Sequence, residues 1–368
     1  MKIDRVELRL LKMRLVAPFE TSFGVELDEE HIIVRVDGEG LTGWGECVAS
    51  ADPFYSYETN QTAWHILRDY LIPGVLKKDL ASVEDGIARG ARVRGHQMAK
   101  AGLEFALWDL FAKAKGVSLS QFLGGTRDRI PVGVSVGLQS SPAELVKRVA
   151  GYLSEGYSRI KIKIAPGRDL YMVAAVRREF PNILLQVDAN SAYRLEDASV
   201  FRAMDEYDLL LVEQPLGYDD IYDHSKLQRE LKTPICLDES IHSAADARAA
   251  LELGSCRIIN IKPGRVGGYA ESIRIHDVCA ANNVPVWHGG MLESGIGRAG
   301  NVALASLPNF KLPGDISASK RYYSMDIVEP EFEVAADGTM AVPMQPGIGV
   351  QVIMDRLEGA TTYRQEFV

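Results

Sequence analysis

Six polar residues recur at a nearly constant spacing in the middle of the chain, and each ends a short apolar stretch. Their positions are 25, 25, 25, 24 and 26 residues apart. A constant period of this length indicates one strand-and-helix unit that is repeated along the chain. We therefore expect these residues at the C-terminal ends of parallel strands, on one rim of a barrel. They are Lys163, Asp188, Glu213, Asp238, Lys262 and His288.

Asp188, Glu213 and Asp238 are carboxylates on successive units of this repeat. Carboxylate oxygens are the ligands that Mg²⁺ prefers, whereas converging carboxylates without a cation would raise one another's pKa. The absence of Cys or His beside them argues against zinc. The alternative is that each carboxylate only caps the helix that follows it. Near-equal spacing over three successive units favours a metal site.

Lys163 and Lys262 lie on either side of the carboxylate strands. A divalent cation nearby disfavours the charged form of a lysine and lowers its pKa, so the lysine can take a proton from carbon. Strand alternation places Lys161 on the same face as Lys163. Exposed lysines on an edge strand are the alternative, but a closed barrel has no edge. Lysines on both sides of a bound carboxylate are the layout that a racemase needs.

The elements that position these residues divide the chain into three parts. Residues 1–125 predict three antiparallel strands followed by three helices, an α+β capping domain in which 18–24 form a loop. Residues 126–320 predict the barrel, with 130–136 as its first strand and 310–312 as a weak eighth strand. Residues 321–368 are expected to pack back on the capping domain. The predicted fold class is α/β, a modified (β/α)₇β TIM barrel.

Composition excludes several classes of protein. The chain has 368 residues, a net charge of −9 and a pI near 5.4, which argues against a nucleic-acid or acidic-membrane footprint. No apolar run is long enough to span a membrane, and Met1–Arg5 lack the apolar core of a signal peptide. The four cysteines show no metal or redox spacing. We expect a cytoplasmic enzyme that acts on a small-molecule carboxylate and forms a homo-oligomer.

The repeat motifs resemble those of the enolase superfamily, and of its muconate-lactonizing subgroup in particular. Members of this superfamily use a Lys or His base together with Mg²⁺. The resemblance covers the whole chain and implies an α+β capping domain on a barrel. The motifs that carry it are Lys161–Lys163, Asp188–Asn190, Glu213–Pro215, Asp238–Ser240 and Asn260–Pro263.

Four further segments resemble the o-succinylbenzoate synthase/N-succinylamino acid racemase family. They are Pro18–Gly24, Gly133–Gly137, Lys262–Gly268 and Gly289–Arg298.

This resemblance implies a role for each residue of the site. Lys163 and Lys262 would be the acid/base residues, and Asp188, Glu213 and Asp238 the ligands of Mg²⁺, with Mn²⁺ able to substitute. Lys161, Asn190, Glu239 and Arg265 would support them, with Arg265 tuning Lys262 electrostatically. The resemblance implies substrate contacts by Phe19, Thr21, Ser22, Phe23, Ser135, Gly290, Met291, Leu292 and Glu293. For each loop residue the alternative is simple turn chemistry, and for Arg265 it is a surface arginine that closes a turn.

Two reactions are compatible with one such site, because both begin with loss of a proton alpha to a carboxylate. Loss of water then gives o-succinylbenzoate in menaquinone biosynthesis, whereas return of a proton from the other side racemises an N-succinylamino acid. A dipeptide epimerase is the nearest rival, but its late Asp-x-Asp pair is reduced here to Asp315. Another muconate-lactonizing-type enzyme or a non-catalytic barrel is a further alternative, and the intact lysines and carboxylates disfavour the non-catalytic barrel.

Overall fold

The computed structural model describes residues 1–22 and 24–368, so the predicted substrate-loop residue Phe23 lies outside the described residues. The N-terminal part begins with five antiparallel strands rather than the predicted three. The sequence alternation predicts one strand over residues 2–16, but strand structure is interrupted at Lys12, and Pro18–Glu20 belong to a strand instead of a loop. The strands are β1 Arg5–Leu11, β2 Met13–Glu20, β3 Val25–Glu29, β4 Ile32–Gly38 and β5 Leu41–Cys47.

Helices follow these strands and pack on one face of the sheet. The sequence predicts that Pro73–Gly74 stop the first helix, but both residues lie in α2, where the proline occupies a first-turn position that needs no N–H donor. Gly116 ends α4 in the left-handed conformation, as predicted. The helices are α1 Asn60–Ile66, α2 Ile72–Val75, α3 Val83–Gly90, α4 Gln97–Lys115 and α5 Leu119–Leu123, with a π-helical turn at Leu67–Leu71.

The apolar helix α4 lies directly on β5. A methyl group at Gly43 or Gly45 would overlap the α4 backbone, so glycine at these two positions permits the close approach. On its other side α4 reaches the barrel, where buried Glu104 accepts a hydrogen bond of 2.8 Å from the backbone N–H of Ala270. The capping part is therefore fixed to the barrel through hydrogen-bonded contacts.

The middle of the chain alternates strands and helices. The repeat of about 25 residues is confirmed, although the predicted strand at 209–213 shortens to two residues. Ser141 and Ser243 cap α6 and α10 with their hydroxyl groups, as their spacing predicts. The elements are β6 Arg129–Pro131, β7 Gly133–Val136, α6 Pro142–Ser154, β8 Arg159–Lys163, α7 Leu170–Glu179, β9 Leu184–Asp188, α8 Ala198–Met204, β10 Val212–Glu213, α9 Tyr222–Glu230, β11 Ile235–Leu237, α10 Ala244–Leu253, β12 Ile258–Ile261, α11 Pro263–Val266, α12 Tyr269–Ala281, β13 Val286–His288 and α13 Gly295–Ala305.

Strands β7 to β13 form a parallel seven-stranded sheet whose neighbours follow chain order. The segment that follows β13 contacts both edges of this sheet through single bridges, Phe310 with Val286 and Gly314 with Val132. It occupies the place of the predicted eighth strand without forming regular strand structure. The predicted α/β fold, with a curled parallel sheet and an N-terminal antiparallel part, is confirmed.

The predicted first barrel strand at 130–136 is wrong in one respect. It is divided, because β6 pairs with the C-terminal strand β15 and only β7 enters the parallel sheet. In the tail, residues 332–334 have a strand-like sequence but form no regular element in the structure. The tail contains β14 Val328–Glu329, β15 Thr339–Ala341, β16 Gln351–Val352, α14 Met354–Ala360 and β17 Thr361–Phe367.

The last strand of the tail returns to the start of the chain. Strand β17 pairs antiparallel with one edge of β1, and β4 pairs antiparallel with the other edge. The division at residues 125 and 320 stays a prediction. Within the described part of the chain, no helix is both long and apolar enough to cross a membrane.

Candidate active site

The lysines and carboxylates at the strand ends form two buried clusters on the rim of the parallel sheet. Lys161 and Lys163, two residues apart on β8, both direct their ammonium groups to Oδ2 of Asp188, at 3.0 and 2.6 Å. Lys161 also lies 3.0 Å from Oε2 of Glu213 and 2.6 Å from Oδ2 of Asp315. The Lys161 ammonium thus bridges the carboxylates of two strand ends, Asp188 and Glu213, and that of Asp315 in the segment after β13.

A second cluster surrounds Asp238, on the far side of the same rim. Lys262 Nζ lies 2.8 Å from Asp238 Oδ2 and donates a hydrogen bond of 2.8 Å to the Tyr55 hydroxyl group. The Arg265 guanidinium contacts Asp238 Oδ1 and also lies 3.5 Å from the same tyrosine oxygen. Gly289 leaves the room that this lysine needs, since a methyl group there would overlap Lys262 and Asn260.

Amide side chains hold the carboxylates in position. Asn190 donates to Glu239 Oε1 at 2.8 Å and accepts from Lys163 at 2.5 Å. Its backbone N–H donates to Asp188 Oδ1 at 3.0 Å, which its left-handed φ of 42° permits. Asn260 donates to Glu213 Oε1 at 2.8 Å. These bonds fix the orientation of the carboxylates on neighbouring strands.

The charges of this cluster shift its pKa values in opposite directions. Burial raises the pKa of Asp188, but the ammonium groups of Lys163 and Lys161 outweigh it and hold that pKa well below its usual range. Burial and the charge of Asp188 raise the pKa of Glu213, and they raise that of Glu239 to about 7. The cluster therefore contains carboxylates whose ionised form would be stabilised by added positive charge.

The two outer lysines differ in the same way. Burial lowers the pKa of Lys163. Burial also opposes the charge of Lys262, but Tyr55, Glu239 and Glu213 outweigh it and raise the pKa of that lysine. The sequence predicts a lowered pKa for both lysines beside a bound cation. In this structure burial lowers the pKa of Lys163, whereas the protein groups around Lys262 raise its pKa.

The carboxylate oxygens are the type of ligand that a hard cation prefers, but in this structure they do not converge on one point. No group of three His, Cys, Asp or Glu side chains converges closely enough to hold a metal among residues 1–22 and 24–368. Both carboxylate oxygens of Asp238, and Oε2 of Glu239, are buried without a hydrogen bond from the described residues, although Lys262 and Arg265 lie in ion-pair contact with Asp238. The Lys161 ammonium lies between Asp188 and Glu213, and Lys262 and Arg265 supply positive charge to Asp238.

A cavity of about 90 Å³ opens between this cluster and the capping part. Several predicted site residues line it: Phe19, Thr21, Ser135, Lys161, Lys163, Asn190, Lys262, Gly290, Met291 and Leu292. Other predicted residues lie around it. Ser22 donates to the Asn190 carbonyl oxygen at 3.2 Å, and buried Glu293 accepts from the Met291 N–H at 2.9 Å.

Six residues of the cavity wall were not predicted from the sequence, and Asn260, which supports Glu213, was named only as part of a motif and given no role. Its role could have been found, since it stands two positions before Lys262 and alternation points both the same way. The sequence drew attention to Asp315 only as the remaining aspartate of the Asp-x-Asp pair of dipeptide epimerases. The loop and capping residues carried no periodic signal. The omitted wall residues are Glu26, Glu29, Ser50, Tyr55, Asp315 and Tyr322.

Arg265 differs from the alternative considered for it, a surface arginine. Only 2% of it is exposed, and its guanidinium donates to the carbonyl oxygens of Ile241 at 3.1 Å and Asn260 at 3.0 Å. It therefore supports the backbone of the rim as well as contacting Asp238.

The chain matches known families over most of its length. Residues 5–124 match the mandelate racemase/muconate lactonizing enzyme N-terminal domain, and residues 144–356 match the enolase C-terminal domain-like family. An o-succinylbenzoate synthase of Geobacillus kaustophilus is 52% identical, with 99% of this chain and 97% of the relative covered. An N-succinylamino acid racemase of Amycolatopsis is 51% identical, covering 98% of each chain. A crystal structure of an enolase superfamily member from Listeria innocua is 42% identical, with a TM-score of 0.96 and coverage of 100% of this chain and 99% of that one.

Proposed function

Because the chain belongs to the o-succinylbenzoate synthase/N-succinylamino acid racemase family of the enolase superfamily, we propose that it removes the proton alpha to a substrate carboxylate. The products would be o-succinylbenzoate by loss of water, and the racemised N-succinylamino acid by return of the proton. The observation that carries this proposal is that Lys163 and Lys262 line one cavity while each is held by a different carboxylate, Asp188 or Asp238.

The roles of the two lysines follow from their surroundings. Lys163, whose pKa burial lowers, is the base that takes the proton in dehydration. Lys262, whose contacts favour the charged form, remains an ammonium beside the developing negative charge in that reaction. In racemisation both lysines move a proton, one as acceptor and the other as donor. Lys161 stays charged and holds Asp188 and Glu213 in place.

Asp188, Glu213 and Asp238 would hold Mg²⁺, with Mn²⁺ as a substitute. Their buried oxygens form a hard donor set, which suits either ion and not zinc. When bound, the ion would supply positive charge that stabilises the enediolate formed from the substrate carboxylate. Asn190 and Asn260 orient Asp188 and Glu213 through the hydrogen bonds described above, and Glu239 acts through Asn190, from which it accepts a hydrogen bond.

The capping part would close the site from above. Phe19 and Thr21 line the cavity, and the bond from Ser22 to the Asn190 carbonyl oxygen ties this segment to the end of β9. Closing the segment over a substrate would exclude water from the reacting carbon. Ser135 and the segment Gly290–Glu293 would contact the acyl end of the substrate.

Dipeptide epimerisation is disfavoured by the contacts of Asp315. This aspartate already pairs with Lys161 and with Arg159, whose Nη1 lies 2.6 Å from its Oδ1, so it is not available to hold a substrate amino group in the barrel. A non-catalytic barrel would have no use for buried lysines in paired contact with carboxylates. The homo-oligomer and the cytoplasmic location stay predictions.

The proposed function is tested by measuring kcat/KM for both reactions in the presence of Mg²⁺. We expect o-succinylbenzoate formation and racemisation of N-succinylphenylalanine to be catalysed well above the uncatalysed rates. Exchange of the alpha proton of N-succinylphenylalanine in D₂O, followed by ¹H NMR, reports the shared first step. The proposal is wrong if neither product forms and no alpha proton exchanges.

Replacing Arg265 by glutamine should depress racemisation much more than o-succinylbenzoate formation. Its guanidinium and the Lys262 ammonium both contact Asp238 and Tyr55, so the positive charge of Arg265 disfavours the protonated form of Lys262. Lys262 must move a proton in racemisation but not in dehydration. We expect a loss of about tenfold or more in racemisation, the size of one pKa unit, and a smaller loss in dehydration.

A matched control is Arg127→Gln, which removes a guanidinium that also donates to two backbone carbonyl oxygens but contacts no residue of the site. It should leave the ratio of the two kcat/KM values unchanged. Equal losses in both reactions for Arg265→Gln would reduce Arg265 to a structural residue.

A further inference from the structure

The two walls of the active-site cavity carry opposite charge. The barrel wall presents Lys161, Lys163 and Lys262, whereas the capping wall presents Glu26 and Glu29 from β3. The proposed function places the substrate carboxylate at the barrel wall. The opposite end of the substrate therefore meets carboxyl groups that take no part in the reaction.

Glu29 is the more buried of these two carboxyl groups. Only 8% of it is exposed, and its Oε1 is buried without a hydrogen-bond partner among the described residues. Its Oε2 lies 3.5 Å from Nε2 of His31, a distance too long for a good hydrogen bond. A buried carboxyl oxygen without a partner costs free energy, which a ligand that supplies a donor would recover.

The groups around Glu29 do not supply that donor. His31 places Nδ1 2.8 Å from Oε1 of Glu46, so its closer contact is with another carboxylate. Glu46 also accepts from the Ser294 and Gly297 N–H groups at 3.0 and 2.9 Å. One imidazole ring is thus shared between Glu46, which is well satisfied, and Glu29, which is not.

The electrostatics of this region favour an added cation. Burial lowers the pKa of His31, but Glu46, Glu29 and Glu293 outweigh it and raise that pKa to about 9. One positive charge therefore faces three carboxyl groups. Burial, aided by Glu26, raises the pKa of Glu29 to about 8. A cation near Glu29 would favour its ionised form and bind to it.

We propose that Glu29, with Glu26 beside it, determines substrate specificity by binding a cationic group at the end of the substrate that lies away from the reacting carboxylate. The cation is an ammonium or guanidinium group. It can come from the side chain of an N-succinylated basic amino acid or from the free amino terminus of a dipeptide. This inference rests on the proposed function for the placement of the substrate carboxylate.

The test is calorimetric binding to the full-length, Mg²⁺-supplemented protein. In the first pair of ligands, N-succinyl-L-lysine differs from N-succinyl-L-norleucine only by its side-chain ammonium group. In the second pair, L-alanyl-L-norleucine has a terminal ammonium group that its N-acetyl form lacks. We expect wild type to bind the cationic member of at least one pair about tenfold more tightly, the size of one charge-assisted hydrogen bond. The pair that shows the preference identifies the source of the cation.

Glu29→Gln should remove this preference while neutral ligands still bind. Glu30→Gln is the matched control, because Glu30 pairs with Lys12 and does not line the cavity. Glu26→Gln should weaken the preference, and it replaces Glu29→Gln if that variant does not fold. The inference is overturned if wild type shows no preference in either pair, or if the preference survives in the folded variant. N-succinyl-L-lysine that binds with the expected preference but is never racemised counts against the proposed function alone.

Discussion

Replacing either Lys163 or Lys262 by alanine should abolish racemisation, with opposite effects on the two enantiomers. Loss of a general acid or base costs about 10²–10⁴-fold in rate. Each lysine lies in the same cavity but is held at a different carboxylate, so each variant keeps one lysine that can exchange the alpha proton on its own side. Lys163→Ala should also lose o-succinylbenzoate formation, because Lys163 is the base for that reaction.

The measurement is ¹H NMR of D- and L-N-succinylphenylalanine in D₂O with each variant. We expect one variant to exchange the alpha proton of the D enantiomer and the other that of the L enantiomer. Lys147→Ala, which removes an exposed lysine of α6, serves as the control and should behave as wild type. Exchange of the same enantiomer by both variants would refute the two-base assignment.

The sequence predicted the part of the site that regular strands build. Alternation along β8 placed Lys161 and Lys163 on one face, and both contact the same oxygen of Asp188. The spacing of the repeat placed Glu213 at the end of the next strand, where the Lys161 ammonium bridges it to Asp188. These predictions succeed because a parallel sheet brings equivalent strand ends together whatever the helices between them contain.

Segments outside the strand-and-helix repeat contribute the residues that the sequence did not predict. Tyr55 reaches Lys262 from a loop that precedes α1, more than 200 positions away along the chain. Asp315 enters from the segment that closes the parallel sheet through isolated bridges. Glu29 lies on β3, which pairs with β2, and it lines the cavity from the capping part. No local period marks such positions, since only the packing of the capping part on the barrel brings them together.

Removal of divalent metal should abolish both reactions while the protein stays folded. Asp188, Glu213 and Asp238 are neutralised by Lys161, Lys163, Lys262 and Arg265 in this structure, so the fold does not depend on a bound ion to offset these buried charges. Without the ion, nothing of comparable charge stabilises the enediolate. EDTA should therefore eliminate activity and leave the circular dichroism spectrum unchanged.

Addition of excess Mg²⁺ should restore activity, and Mn²⁺ should do so as well. Asp238→Asn is the decisive variant, because it removes a ligand charge while leaving an amide of the same shape beside Lys262 and Arg265. Calorimetric titration should show Mg²⁺ affinity reduced by at least about tenfold, which corresponds to the free energy of one pKa unit. Asp246→Asn, at the start of α10 and outside the cavity, should bind Mg²⁺ as wild type does. Full activity in EDTA, or unchanged Mg²⁺ affinity in Asp238→Asn, would rule out the proposed ligand set.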